Sequence, residues 1–273
     1  MVTIMSNEIT IGFIQMEVED GNRKKNFEMA KRKITELTTD KDLDLIVLPE
    51  LFDTGFAYEK YMDLDAELPG ETTEFLSKLA QDNYSYIVTT TIEKADFGKY
   101  YNTAVLINRD GKIIGVYRKV HPFQDEKQYF EPGTELTVFR TEIGSIGIEI
   151  CYDLRFPEVA RSLALANIDI LITPASFPFP RQSHWDILTV ARAIENQIFH
   201  VAVNRVGSGI DKEYFGHSKI IDPWGNIIVG ASESPRISAI DVDLDMIKEV
   251  RDQITCFEDR KNIAYSKIFV ADE

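Results

Sequence analysis

Residues 145–161 read SIGIEICYDLRFPEVAR. The first seven form an apolar run of strand length that climbs to Cys151 and stops. A polar step follows, then Phe156-Pro157-Glu158, where the proline suits the first turn of a helix and the acid suits its positive end. The stretch therefore predicts a strand over 145–151 and a helix over 157–167, with Cys151 between them. A cysteine at that junction can sit among backbone N–H groups and near a helix dipole, and both favour the thiolate. The arrangement is similar in outline to a nucleophile elbow, although the G-x-S-x-G pattern is absent. The competing reading is a small buried hydrophobe, the commoner fate of a cysteine.

The same alternation continues on both sides. Strand-like runs occur at 8–15, 43–49, 84–92, 100–108, 111–119, 168–176 and 198–206, with shorter ones at 216–222, 226–230 and 236–242. Asp110-Gly111 marks a hairpin, and Pro223-Trp224-Gly225-Asn226 marks a second turn. Between the strands, residues 22–38 place Phe27, Ala30, Ile34 and Leu37 on one helical face, and 72–82, 183–196 and 243–251 read similarly. About a dozen strands with interspersed helices suggest an α/β protein of two sheets covered by helices. No repeat, low-complexity tract or Pro/Gly-rich linker divides the chain, so residues 1–273 read as one domain, with a C-terminal extension from about 252.

The 273 residues are 44% hydrophobic, enough for a sizeable core, and carry a net charge of −15. That acidity speaks against nucleic acid and anionic membranes as partners, since both need a basic footprint. No apolar run approaches the roughly 18 residues of a membrane span. The N-terminal stretch does not read as a signal peptide, and two cysteines make no disulfide framework, so a cytoplasmic protein with free thiols is expected. Paired His or Cys at zinc spacing and Gly-rich phosphate loops do not occur, so neither a metal nor a cofactor is expected.

A nucleophile needs a base and a group to hold the developing oxyanion. The four histidines, His121, His184, His200 and His217, form no recognised pairing motif with Cys151. Two other strand ends carry suitable groups. LIVLPELFDTGF (45–56) runs an apolar strand into Glu50, and GVYRKVHPF (115–123) puts Lys119 at a strand's end. Alone, each reads more readily as a solvated surface charge.

Together they read differently. LPELFDTGF, YRKVHPF and ICYDLRFPE, in that order, resemble the three signature blocks of the nitrilase superfamily of carbon–nitrogen hydrolases, and the likeness spans almost the whole chain. The resemblance implies a four-layer αββα sandwich and a Glu-Lys-Cys triad at Glu50, Lys119 and Cys151. It places a supporting glutamate at Glu126, which positions substrate or Lys119. It implies amide cleavage: Glu50 takes the thiol proton, Lys119 and the backbone N–H of Tyr152 hold the oxyanion, and ammonia leaves a thioester that water then cleaves. The segments at 174–197 and 215–225 resemble the ω-amidase-like branch, whose substrates are 2-oxo acid amides such as 2-oxoglutaramate. The resemblance also implies a homodimer or larger homo-oligomer built on helices 157–167 and 183–196.

For a substrate carboxylate, Arg181 is the candidate partner, because a guanidinium can grip it bidentately; a surface-loop arginine is the alternative. Arg155 is expected in a structural ion pair with Glu158 or Asp153. Cys256 reads as a packing or partly exposed thiol, Trp185 as core or interface, and His217 has no assigned role. The alternatives are an amidase for deaminated glutathione, an N-carbamoyl hydrolase, a nitrilase, a non-catalytic binding homologue, or an α/β domain with a merely buried Cys151.

Overall fold

The computed structural model describes residues 7–60, 67–95 and 99–267. The strands β1 (Glu8–Gln15), β2 (Leu45–Val47), β3 (Tyr86–Ala95), β4 (Lys99–Ile107) and β5 (Ile113–Arg118) join the last strand, β14 (Arg236–Asp243), in one sheet of order β14-β1-β2-β3-β4-β5. The strands β6 (Val138–Thr141), β7 (Gly144–Ile148), β8 (Ile170–Ala175), β9 (Phe199–Asn204), β12 (Lys219–Ile221) and β13 (Ile227–Gly230) form a second, of order β13-β12-β9-β8-β7-β6. A two-stranded ribbon, β10 (Val206–Ser208) with β11 (Glu213–Phe215), lies beside them.

Each sheet has three parallel central strands joined by crossover helices. In the first, α1 (Arg23–Leu37) and α2 (Glu71–Asn83) link β1, β2 and β3. In the second, α3 (Pro157–Leu165) and α4 (Gln182–Asn196) link β7, β8 and β9. The period of two along each strand decides what each face meets. Ile11, Phe13, Val47, Val88 and Leu106 share one cluster with Ile146, Ile148, Ile172 and Val201 of the other sheet. The alternate residues Ile14, Ile46, Ile87 and Val105 pack with Ala30 and Ile34 of α1 and Leu76 of α2. On the far side, Leu171 packs with Val159, Ala160 and Leu163 of α3. The layers are therefore helix, sheet, sheet, helix, the expected αββα sandwich. Burying one such aliphatic or aromatic side chain contributes about 1.5–3 kcal/mol over leaving it exposed.

The strand and helix assignments survive with local changes. The run at 198–206 divides between β9 and β10 around Arg205, which is fully buried and turns to pair with Asp20 Oδ1 at 2.8 Å. The short strands β6 and β11 carry too few residues to have stood out. Beyond α5 (Asp245–Gln253), residues 254–267 are mostly exposed and include a one-turn helix, α6 (Asn262–Tyr265); residues 268–273 of the expected extension lie outside the described residues. No helix among the described residues is long and apolar enough to cross a membrane.

Strand direction positions the chemistry. Glu50 follows β2, Cys151 follows β7, and Ser176 follows β8, all at the carboxyl ends of parallel strands, where open α/β sheets place their sites. β5 runs antiparallel to β4, which runs antiparallel to β3, so β5 points the same way as β3. Lys119, the next residue after β5, thus reaches the same edge.

Candidate active site

Glu50 is fully buried, and fixed donors meet both its oxygens. Oε1 accepts from Asn102 Nδ2 at 2.8 Å and from Lys119 Nζ at 2.8 Å. Oε2 accepts from the backbone N–H of Ser176 at 2.8 Å, and the Ser176 hydroxyl donates to the Glu50 carbonyl at 3.1 Å. The loop is pinned further on, where the Leu51 N–H donates to Thr90 Oγ1 at 2.8 Å and Leu51 takes a positive φ of 46°.

Lys119 Nζ lies 2.8 Å from Glu50 Oε1, 3.0 Å from Glu126 Oε1 and 2.8 Å from Glu126 Oε2. Burial works against its charge, but the two flanking carboxylates outweigh burial and hold its proton affinity well above that of an ordinary lysine. Glu126 sits in a short turn, where its Oε2 also accepts from the Phe123 N–H at 2.8 Å. Burial drives its pKa upward, Lys119 opposes and Glu50 adds to the rise, with the result at about 7.

Cys151 opens the turn Cys151–Arg155 with φ +46°, in the left-handed region. The pull toward the thiolate at a strand–helix junction is outweighed here. Burial first, and the Glu50 charge second, push the thiol well above its usual range; Lys119 and a hydrogen bond from the Ser176 N–H pull only partly the other way. The helix invoked from sequence begins only at Pro157, after the turn Cys151–Arg155, so Cys151 is not part of its first turn. The thiol is therefore neutral until something takes its proton. The Ser176 N–H, which donates to Glu50 Oε2, also lowers the thiol's proton affinity.

Sequence reasoning missed the clamp on this turn. The buried Asp153 carboxylate accepts from the Ile150 N–H at 2.9 Å, the Tyr117 hydroxyl at 2.8 Å and the His121 N–H at 3.0 Å, and meets His121 Nδ1 at 2.7 Å. It thereby ties the Cys151 turn to β5 and to the residues just after Lys119. Buried Arg192 of α4 donates to the Leu154 carbonyl at 2.7 Å from the other side. A buried acid in i+2 relation to a cysteine gives no periodic signal, so nothing in the sequence singled it out for this task.

Arg155 is a correction to the sequence reading. Among the described residues it makes no ion pair with Glu158 or Asp153; Asp153 is already committed, and Arg155 instead lies over the Phe177 ring at 5.1 Å with its Nη1 3.2 Å from His184 Nδ1. Arg155 and Arg181 both line the pocket that reaches Cys151, alongside Lys212, and Arg181 lies over Phe123 at 5.3 Å. Burial, and then the Arg181 charge, lower the proton affinity of Arg155. Two guanidiniums that repel each other at a pocket wall make a ready seat for an anion. Tyr152 also lines this pocket. Trp185 is fully buried and packs on Phe177, and His217 is engaged with Asp186 away from the pocket lining. Cys256 is exposed. Among the described residues no group of three or more His, Cys, Asp or Glu could hold a metal ion.

The family model for carbon–nitrogen hydrolases matches residues 10–252. This chain belongs to that family. It is a hydrolase of carbon–nitrogen bonds other than peptide bonds, within the nitrilase superfamily. It is 36% identical over 259 residues to a 2-oxoglutaramate amidase of Bacillus subtilis, covering 94% of this chain and 99% of that one. It is 31% identical over 256 residues to an omega-amidase of Xenopus tropicalis, covering 89% and 92%. A carbon–nitrogen hydrolase structure from Helicobacter pylori superposes with a TM-score of 0.89 at 30% identity, covering 96% of this chain and 98% of that chain.

Proposed function

We propose that this carbon–nitrogen hydrolase is an ω-amidase, releasing ammonia from the terminal amide of a 2-oxo acid amide such as 2-oxoglutaramate, with Cys151 as nucleophile, Glu50 as general base and Lys119 as oxyanion donor. The observation that carries the substrate class is the pair Arg155 and Arg181 on the wall of the pocket that reaches Cys151. A carboxylate seated there leaves the amide end to approach the sulfur. The 2-oxoglutaramate amidase and omega-amidase relatives support the same reading.

The contacts support the following steps. Glu50 has about four lone-pair sites and accepts three hydrogen bonds, so Oε2 retains one for the thiol proton. As it takes that proton, the Cys151 sulfur bonds to the amide carbon and the carbonyl electrons move to oxygen. The Lys119 ammonium has three N–H donors; two face carboxylates and the third is available to the oxyanion, together with the Tyr152 backbone N–H. Collapse breaks the carbon–nitrogen bond, and the Glu50 proton goes to the departing nitrogen as ammonia forms. Glu50 then takes a proton from water as its oxygen attacks the thioester, and the thiol is restored as the acid leaves. Glu126 holds Lys119 in place throughout.

The reaction suits the reducing cytoplasm, where a catalytic thiol persists. The protein is further proposed to be a homodimer through α3 and α4, whose outward Ile187 and Ile194 are 67% and 50% exposed.

The deciding experiment measures ammonia from 2-oxoglutaramate, glutamine, a simple nitrile and an N-carbamoyl amino acid, for wild type and Cys151→Ala. Release from 2-oxoglutaramate that vanishes in the variant supports the reading. Turnover confined to another member of the panel overturns the substrate, and release that survives Cys151→Ala overturns the nucleophile.

A further inference from the structure

Two residues before Cys151 lies a second buried acid that the proposed chemistry does not use. Glu149 is fully buried, and its N–H donates to the Ile172 carbonyl at 3.0 Å, continuing the pairing of β7 with β8. Its Oε1 lies 3.0 Å from Thr173 Oγ1, and its Oε2 has no hydrogen-bond partner. Thr173 Oγ1 lies 2.7 Å from His200 Nε2, and His200 Nδ1 lies 2.8 Å from the Thr189 carbonyl oxygen.

Counting protons along this chain decides the state of the acid. A carbonyl only accepts, so His200 Nδ1 carries a hydrogen. His200 is fully buried, and burial lowers its pKa to about 4, so the ring is neutral and Nε2 is a lone pair. The single Thr173 hydroxyl proton therefore goes to His200, and its oxygen has only lone pairs left for Glu149. A carboxylate facing it at 3.0 Å would set acceptor against acceptor. The contact is a hydrogen bond only if Glu149 donates.

We propose that Glu149 is a carboxylic acid in the working enzyme, a positioning residue whose uncharged state holds the nucleophile turn in register, and whose ionisation ends activity on the alkaline side. The charges around it explain why ionisation would matter. Asp153 faces it from the nucleophile turn, Tyr117 from β5, and Arg192 and Glu195 from α4, while Lys219 of β12 faces His200 on β9. Arg192 is the cation facing Glu149, and its guanidinium is committed to the Leu154 carbonyl and to Glu195 Oε1. A second anion here would repel Asp153, the clamp on Ile150, and would break the side-chain contact between the Cys151 strand and the Ser176 strand. Burial, with Asp153 adding, raises the Glu149 pKa to about 8, inside the range an assay can reach.

The part concerning activity rests on Cys151 being the nucleophile; the protonation state does not, and the test separates them. Glu149→Gln keeps a donor toward Thr173 that cannot ionise, and Glu149→Ala removes it. Ammonia release should fall about thirtyfold in the wild type by pH 9.5, following the loss of the acid form. Glu149→Gln should hold the neutral-pH rate without that fall, while Glu149→Ala should lower kcat at every pH with little change in KM. Beside the band of Glu126, infrared difference spectra between pH 6 and pH 9.5 should show a second carboxylic-acid carbonyl band in the wild type that Glu149→Gln lacks. The wild-type melting temperature should also decline relative to Glu149→Gln from about pH 5 to pH 8, because the folded acid keeps its proton where the unfolded one has lost it. An alkaline limb shared by wild type and Glu149→Gln overturns the positioning role. Absence of the carbonyl band overturns the acid form even if the substrate reading stands. If none of the panel amides is cleaved, the infrared and melting readouts still judge Glu149.

Discussion

Replacing Lys119 by methionine would remove the buried cation between Glu50 and Glu126 while nearly keeping the side-chain volume. Both carboxylates have an oxygen within 3.0 Å of Nζ, so the two oxygens are at most about 6 Å apart. At an effective dielectric near 20, two unit charges at that separation repel by about 3 kcal/mol. That equals about two pK units on top of the rise that burial causes, so one acid of the pair would hold a proton at neutral pH. Breaking a buried ion pair from one side costs about 3–5 kcal/mol. The sign with pH follows from proton count: the variant's folded state would bind more protons than its unfolded state above the ordinary glutamate range, so its stability falls as pH rises. Urea unfolding should therefore show a deficit of about 3–5 kcal/mol at pH 8 that shrinks at pH 5. Loss of one oxyanion donor alone costs about 10²–10³ in kcat, and ammonia release should fall by at least that much. Lys119→Met combined with Glu126→Gln should recover much of the stability and none of the activity. A deficit that is the same at both pH values, or a rate within tenfold of wild type, would refute this account.

The other expectations concern single contacts. Glu126→Gln should abolish an acid limb near pH 7 in kcat/KM, because the carboxylate that grips Lys119 loses its charge below its raised pKa of about 7; an unchanged limb would assign that titration elsewhere. Arg155→Gln and Arg181→Ala should each raise KM for 2-oxoglutaramate by about 10–100-fold and leave an uncharged amide little affected, and equal loss on both substrates would remove the arginines from carboxylate binding. Ultraviolet difference spectra between wild type and Cys151→Ala should show no thiolate absorbance at pH 8, and a thiolate band there would contradict the raised thiol pKa. Ile187→Glu should convert a dimer into a monomer by light scattering at micromolar concentration; a wild-type monomer would overturn the dimer, and a variant dimer would move the interface away from α4.

The sequence made the elements legible wherever one residue pattern carried the signal. Apolar runs ending at Glu50, Lys119 and Cys151 announced strand ends; strand direction brings Glu50 and Lys119 to one edge of the first sheet, and packing of the second sheet on it adds Cys151. What escaped was every group whose role depends on a partner far along the chain. Asn102 looks like any polar strand residue until its amide is seen 2.8 Å from Glu50 Oε1, across 52 positions. Ser176 meets Glu50 through its backbone N–H, which no side-chain pattern can encode. Arg155 was read with its chain neighbours, but the left-handed turn at Cys151 and the commitment of Asp153 send it to the pocket instead. The balance of charges at the thiol was illegible for a related reason. Chain proximity to a helix start counted for less than burial, which only packing of the two sheets creates.

A neutral thiol is compatible with fast chemistry here because the proposed step conserves charge inside the cavity. Before attack the site holds the Glu50 carboxylate against the Lys119 ammonium, 2.8 Å apart. Proton transfer from Cys151 neutralises Glu50, and the negative charge reappears on the substrate oxygen, where the same ammonium can follow it. No new ion is buried and none is lost, so the desolvation that makes a free thiolate costly is never incurred in full. A pre-formed thiolate would instead add an anion beside Glu50, which is why the Glu50 charge raises the thiol pKa. The same logic explains the contacts on Lys119. Glu126 holds the ammonium when Glu50 becomes neutral, so the cation keeps a counter-charge at every stage and stays aimed at the oxyanion.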